Sequence, residues 1–92
     1  YREVLEDRHI EGVAIATPAI THAILTQEFL HAGKDVMCEK PLALDYQDAR
    51  ASVELAKKLG RMLMVGHILE YHPAITRLRE MVASDELGKI QY

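Results

Sequence analysis

Three short apolar runs, each ending in a polar loop, constrain the fold more than any other feature of this chain. They are residues 12–16 (GVAIA), 35–38 (DVMC) and 62–66 (MLMVG). Continuous apolar runs of this length are typical of β-strands that are covered on both faces. The spacing of about 25 residues leaves room for one helix between each pair of strands.

Three further stretches show helical periodicity, over residues 19–32, 45–60 and 73–84. Asp45 is a preferred N-cap residue, and Pro73 suits a first helical turn. The apolar residues at helical spacing are Ile20, Ala23, Ile24 and Leu30 in the first stretch, Ala49, Val53, Ala56 and Leu59 in the second, and Ala74, Ile75, Leu78, Met81 and Val82 in the third.

Alternation of strands and helices predicts an α/β fold, with a doubly wound parallel sheet and a further strand starting in KIQY at residues 89–92. Because each crossover returns the chain to the same edge, all the strands end at one rim, where ligands of such sheets bind. The polar residues expected at this rim are Thr17 and Pro18, then Glu39, Lys40 and Pro41, then Gly66 and His67.

Glu39 and Lys40 are the rim residues best suited to chemistry. A carboxylate can accept hydrogen bonds from two adjacent sugar hydroxyls, and an ammonium can stabilise charge on a reacting oxygen or bind a carboxamide. The Lys40–Pro41 bond is a candidate for the cis form, which occurs in tight turns. Position and composition alone slightly favour a simpler alternative, a solvated Glu–Lys pair on a loop.

Four motifs occur in order along nearly the whole chain: A-T-P at 16–18, A-G-K-D-V at 32–36, C-E-K-P-L-A at 38–43 and Y-x-P-A at 71–74. Together they resemble the second half of the nucleotide-binding Rossmann domain in the glucose-fructose oxidoreductase/inositol dehydrogenase family, also called Gfo/Idh/MocA.

The resemblance implies an oxidoreductase that uses NAD or NADP to move hydride to or from a hydroxyl-bearing carbon of a sugar, nucleotide sugar or cyclitol. It places the catalytic Lys40 beside the nicotinamide and the reacting hydroxyl, and Glu39 on the nicotinamide ribose. The other cofactor-binding residues implied are Thr17, Pro18, His22 and Pro41. On the substrate side the candidates are His67, Tyr71 and His72.

The same resemblance implies a domain boundary. Residues 1–88 would be the C-terminal part of the dinucleotide-binding domain, and 89–92 the start of a substrate-binding α+β domain. No G-x-G-x-x-G occurs in the chain, although that turn normally seats the pyrophosphate. We therefore expect the chain alone to be inactive, and the longer enzyme to be a homo-oligomer assembled through the missing domain.

Two positions depart from the family pattern. Ala19 stands where many members have an asparagine, and Glu70 where many have an arginine. The first change removes a possible ribose contact. The second, with the surrounding G-H-x-x-x-Y-H-P-A, resembles the branch that acts on UDP-N-acetylhexosamines or their uronic acids.

Histidines need separate assessment. His9 and His31 are expected to be solvated surface residues, whereas His67 and His72 fall on the expected rim. His72 is alternatively only the residue that flanks a helix start. Their spacing does not match H-E-x-x-H, so no metal site is predicted.

Composition excludes several functional classes. A net charge of −3 and scattered basic residues make nucleic acid an unexpected partner, and no apolar run approaches the length of a membrane span. We expect a cytoplasmic protein, with the single Cys38 as a small buried hydrophobe. The rival functions are a receiver-like signalling domain, disfavoured because its acceptor aspartate is replaced by Thr17, and a cofactor-free interaction module.

Overall fold

A computed structural model describes residues 1–91. The helices are α1 (Arg2–Glu6), α2 (His22–His31), α3 (Tyr46–Leu59) and α4 (Pro73–Ala83), and the strands are β1 (Gly12–Ile15), β2 (Asp35–Cys38) and β3 (Leu63–Val65). Two short 3₁₀ helices, Ala19–Thr21 and Ile68–Tyr71, precede α2 and α4. The predicted α/β class and the three predicted strands are confirmed.

Four local features of the structure differ from what the sequence predicts. Helix α1 and the second 3₁₀ helix were not predicted, and α2 begins at His22 rather than at residue 19 because the preceding turn is 3₁₀. Residues 89–91 form no strand, and the rest of the KIQY segment lies outside the described residues. No helix within residues 1–91 is both long and apolar enough to span a membrane.

The sheet is parallel, in the order β1-β2-β3. Its register pairs Ile15 with Cys38 and Cys38 with Val65, so the three strands end level with one another. Backbone hydrogen bonds continue just beyond the strand ends, from Glu39 N to Ile15 O (2.9 Å) and from Gly66 N to Cys38 O (2.8 Å). The loops after the strands are therefore held side by side, as the parallel topology predicts.

One face of the sheet packs against α2, and α3 packs against α2 and contributes Ala56 to the same core. The core on this side consists of Ile15, Phe29, Leu30, Val36, Cys38 and Ala56. The opposite face, where Ala14, Met37 and Met64 lie in register, is open, and the two methionines are 40% and 39% exposed. The expectation that the strands are covered on both faces is wrong for the described chain, since both packed helices lie on the same side.

Helix α3 begins and ends as its sequence predicts. The Asp45 carboxylate accepts hydrogen bonds from the backbone N–H groups of Gln47 (2.7 Å) and Asp48 (3.4 Å). Gly60, in the left-handed conformation (φ 63°), ends the helix. Its buried residues are Ser52 and Ala56, so the packed face is rotated away from the predicted Val53 and Leu59.

Candidate functional site

Glu39 lies at the centre of the rim formed by the three strand-end loops. Its side chain is half-buried, and one carboxylate oxygen accepts a 3.2 Å hydrogen bond from the backbone N–H of Lys40. Gly66, at the end of β3, lies directly against it, since a Cβ added there would sit 3.2 Å from Oε1. Glycine therefore permits this close approach of backbone and carboxylate.

Lys40 extends from the rim into the gap between the second and third loops. It lines a cavity of about 230 Å³ together with Gly66, His67, Ile68, Leu69 and Glu70. Within residues 1–91 its ammonium forms neither an ion pair nor a hydrogen bond. The ammonium is thus available to a ligand, which a paired surface lysine would not be. The Lys40–Pro41 peptide bond is cis, as considered from the sequence.

Thr17 and Pro18 occupy a different part of the rim. They line a second groove of about 350 Å³ with Tyr1, Thr21, Ile24 and Leu25. The Thr21 hydroxyl donates to Pro18 O (2.8 Å), so its 2.7 Å contact with Thr17 must use the Thr17 proton. This chain of hydroxyls orders the first loop and leaves its outer surface exposed.

His22 is placed behind the first two loops, and only 2% of it is exposed. Its Nδ1 lies 2.7 Å from Pro41 O, and its Nε2 lies 2.8 Å from Thr17 O. Sequence reasoning placed His22 at the cofactor cleft but did not foresee these two contacts, which depend on residues 5 and 19 positions away. A direct cofactor contact by His22 stays a prediction, and its geometry favours another role.

Of the three candidate substrate residues in the third loop, only His67 lines the Lys40 cavity. Tyr71 is strongly exposed and lines neither the Lys40 cavity nor the Thr17 groove. His72 caps α4, because its Nδ1 accepts a hydrogen bond from the backbone N–H of Ala74 (3.2 Å). That arrangement fits the simpler interpretation of His72 as a helix flank, and the substrate roles of all three residues stay predictions.

Glu70, one of the two departures from the family pattern, has a structural partner in this chain. Its carboxylate forms an ion pair with Arg79 on α4. The hydrogen bond and charge of Arg79 hold the pKa of Glu70 below its usual value, and the nearby His67 acts in the same direction. The pair joins the 3₁₀ helix after β3 to α4 on the exposed surface.

Cys38 precedes Glu39 and is completely buried. Burial raises the pKa of its thiol, and the negative charge of Glu39 raises it further. A neutral buried thiol is a poor nucleophile. The interpretation of Cys38 as a buried hydrophobe is confirmed.

Sequence reasoning missed the contact between Gly66 and Glu39. The available signal was a glycine placed directly after an apolar run, where a close approach of another group is one common reason for glycine. The identity of that group depends on the pairing of β2 with β3, and the sequence of either strand alone does not predict this pairing.

Comparisons with known proteins agree with this geometry. A family model described as an oxidoreductase family with an NAD-binding Rossmann fold, GFO_IDH_MocA, matches residues 1–67. Inositol 2-dehydrogenase of Rubrobacter xylanophilus is 41% identical over 87 residues, which cover 94% of this chain and 25% of that protein. The scyllo-inositol 2-dehydrogenase (NAD(+)) of Bacillus subtilis is 34% identical over 98% of this chain and 26% of its own length.

Similarity to a solved structure supports the same family. The crystal structure of a 3-ketoreductase from Actinomadura kijaniata, in complex with NADP and TDP-benzene, matches with a TM-score of 0.86 and 31% sequence identity. The match covers 91% of this chain and 26% of that one. The chain thus spans about a quarter of the length of the curated relatives it matches. From the extent of the family match, the chain belongs to the Gfo/Idh/MocA family of NAD-binding, Rossmann-fold oxidoreductases.

Proposed function

We propose that this chain is part of a longer NAD(P)-dependent oxidoreductase that acts on a CH–OH carbon of a sugar, a cyclitol or a nucleotide sugar. The observation that carries the proposal is the free ammonium of Lys40 at the open cavity between two strand-end loops, beside the half-buried carboxylate of Glu39. Family membership supports the same choice. The alternative of a solvated Glu–Lys pair is less favoured for Glu39, because its side chain is half-buried and lies against Gly66.

The rim residues fit a nicotinamide nucleotide. Gly66 lets the Glu39 carboxylate lie directly against the backbone after β3, and the carboxylate can accept hydrogen bonds from two neighbouring ribose hydroxyls. Thr17 and Pro18 provide a separate wall on the other side of the rim. We assign nucleotide binding to Glu39, Lys40, Pro41, Thr17 and Pro18 on this basis.

Lys40 is the residue that we propose for catalysis. The bound nicotinamide supplies a hydride acceptor or donor. The Lys40 ammonium would stabilise negative charge that develops on the substrate oxygen as its proton leaves, and it can also donate to the carboxamide. Its exposure within the cavity lets a sugar hydroxyl approach without displacing an existing partner.

We propose further that residues 1–88 form the second part of the dinucleotide-binding domain, and that 89–92 lead into a substrate-binding domain. The absence of G-x-G-x-x-G from these 92 residues supports the first part of this proposal, because that turn belongs to the first strand and helix of a dinucleotide-binding domain. It predicts that the chain alone turns over no substrate. In the whole protein, meaning the longer polypeptide proposed here, we expect homo-oligomers built through the substrate-binding domain.

An activity assay tests the function. The whole protein would be incubated with NAD or NADP and a panel of myo-inositol, scyllo-inositol, free aldoses, TDP-sugars and UDP-N-acetylhexosamines, while the reduced nicotinamide is followed by its absorbance. The reverse reaction would be followed with keto sugars. We expect turnover with one substrate class, and none after Lys40→Met.

The same assay separates the alternatives. The names of the relatives favour cyclitols and TDP-linked sugars, whereas the sequence around Glu70 favours UDP-N-acetylhexosamines. Absence of turnover with every class, together with absence of nucleotide binding, would instead support a cofactor-free interaction module. Family membership leaves no support for the receiver-like alternative.

A further inference from the structure

His22 is the only buried side chain that connects the first two rim loops among the described residues. It is the first residue of α2, and its ring lies between the carbonyl groups of Thr17 and Pro41. Both contacts are short, at 2.8 Å and 2.7 Å. A buried imidazole with a carbonyl on each side is committed to the backbone and has no nitrogen left for a ligand.

Carbonyl oxygens only accept hydrogen bonds, so each ring nitrogen can satisfy its contact only by carrying a proton. A neutral imidazole has one N–H, and only the imidazolium supplies both. A backbone carbonyl is a frequent partner of Nδ1–H, and the carbonyl at Nδ1 is that of Pro41, the residue after Lys40. The Nδ1–H bond to Pro41 O is therefore the link that bears on the site.

We propose that His22 is a positioning residue for Lys40, acting by donation of its Nδ1–H to Pro41 O. Pro41 follows Lys40 in the chain, so fixing its carbonyl fixes the backbone from which the lysine extends. On the other side of Lys40, Glu39 N donates to Ile15 O at 2.9 Å. The backbone around Lys40 is thus anchored on both sides, while its ammonium stays free.

The second contact, at Nε2, places the His22 ring against the loop after β1 as well. Because the Nε2 side of the ring faces Thr17 O, the loop after β1 and the loop after β2 meet through one buried side chain. Thr17 and Pro18 line one groove and Lys40 lines the other. Loss of the Nδ1–H bond would release the loop after β2, and with it Lys40, from the buried ring. Displacement of a reacting group by about 1 Å can lower a rate about 100-fold.

Two amide substitutions separate the contact with Pro41 O from the contact with Thr17 O. Because kcat is the readout, this test rests on the proposed function. In His22→Asn the amide nitrogen falls near the position of Nδ1 and can still donate to Pro41 O. In His22→Gln it falls near Nε2 and can donate only toward Thr17 O. His31→Gln, at the exposed end of the same helix, is the matched control.

We expect kcat to fall about 10- to 100-fold in His22→Gln, with a much smaller change in KM for the nucleotide, and to stay within a few-fold of the wild type in His22→Asn and His31→Gln. A residue with a purely structural role would instead lower melting temperature in both His22 variants without separating their kcat values. Equal kcat in His22→Gln and His22→Asn would overturn the inference. A wild type inactive on every substrate would overturn the proposed function.

A second measurement needs neither a variant nor activity. In the wild-type whole protein with ¹⁵N-labelled histidine, ring ¹H–¹⁵N correlation spectra would show whether Nδ1 of His22 carries a proton. We expect a slowly exchanging proton on Nδ1. An unprotonated Nδ1 would exclude a bond to Pro41 O and overturn the inference, whatever the kinetics of the variants.

Discussion

Helices α2 and α4 are nearly equal in length, yet they differ in how much of their surface is buried. Helix α4 has the more regular apolar stripe, but none of its residues is buried, and Leu78 is 47% exposed. Helix α2 has a weaker pattern and buries five residues, two of them the polar His22 and Thr26. Apolar periodicity therefore predicts the helix correctly but does not predict how deeply it packs.

The same difference extends to the rim. The loops after β1 and β2 meet at the buried ring of His22. Beyond Gly66, the loop that leads to α4 is held by an exposed ion pair, Glu70–Arg79, and by the His72 cap. We infer that the part of the site around Lys40 is the more rigid one, because its contacts exclude water.

The largest effect is expected from Lys40→Met in the whole protein. Removal of a charge that acts on the reacting oxygen should lower kcat about 100- to 10,000-fold, since such an interaction is made mainly in the transition state. The nucleotide dissociation constant, measured by fluorescence titration, should change far less. Lys58→Met on the exposed end of α3 is the control. A loss of binding as large as the loss of kcat would show that Lys40 serves to bind.

The packing contrast is tested by removing one leucine from each helix. Leu30→Ala, at a fully buried site of α2, should lower the free energy of unfolding by about 2 to 5 kcal/mol. Leu78→Ala on α4 should lower it by about 0.5 kcal/mol or less. Urea unfolding of this chain, followed by circular dichroism, measures both. Similar losses would mean that α4 is packed as well as α2.

A smaller effect is expected from Gly66→Ala. The added methyl group would meet the Glu39 carboxylate, which can swing aside because it is the end of a flexible side chain. Stability should change little because the carboxylate can move, but the displaced carboxylate should bind the nucleotide roughly 10-fold more weakly, about 1.4 kcal/mol. Gly12→Ala, where the new Cβ would be 3.5 Å from its nearest neighbour, is the control. Equal nucleotide affinity in both variants would remove Gly66 from the site.

The smallest effect is expected at Glu70. Its pKa is lowered by Arg79, so the pair contributes stability above the usual pKa of the carboxyl group, and that contribution is lost as pH falls through the lowered value. A carboxyl titration by NMR should show a lower pKa for Glu70 in the wild type than in Arg79→Gln, with the difference reduced by salt. Identical titration curves would mean that the ion pair is not formed in solution.

Local features of the fold were readable from the sequence. The strand positions follow from apolar runs, the start of α3 from Asp45, and the location of Lys40 at the rim from its place after a parallel strand. Each depends on a few neighbouring residues. The resemblance in four short motifs then supplied the family, which the family model confirms.

Features that depend on distant residues could not be read in this way. The buried face of α2 includes His22, whose partner Pro41 is 19 residues away, and Glu39 meets Gly66 only because β2 pairs with β3. The open sheet face under Met37 and Met64 also escaped prediction, because an apolar run does not show how many of its sides are covered.

The most direct test of the central claim, that this rim binds a nicotinamide nucleotide through Glu39 while Lys40 serves the chemistry, is calorimetric titration of the whole protein with NAD and with NADP. We predict saturable binding of at least one nucleotide by the wild type, clearly weaker binding by Glu39→Gln, and a smaller loss of binding by Lys40→Met. Absence of binding of both nucleotides to the folded wild type would contradict the account.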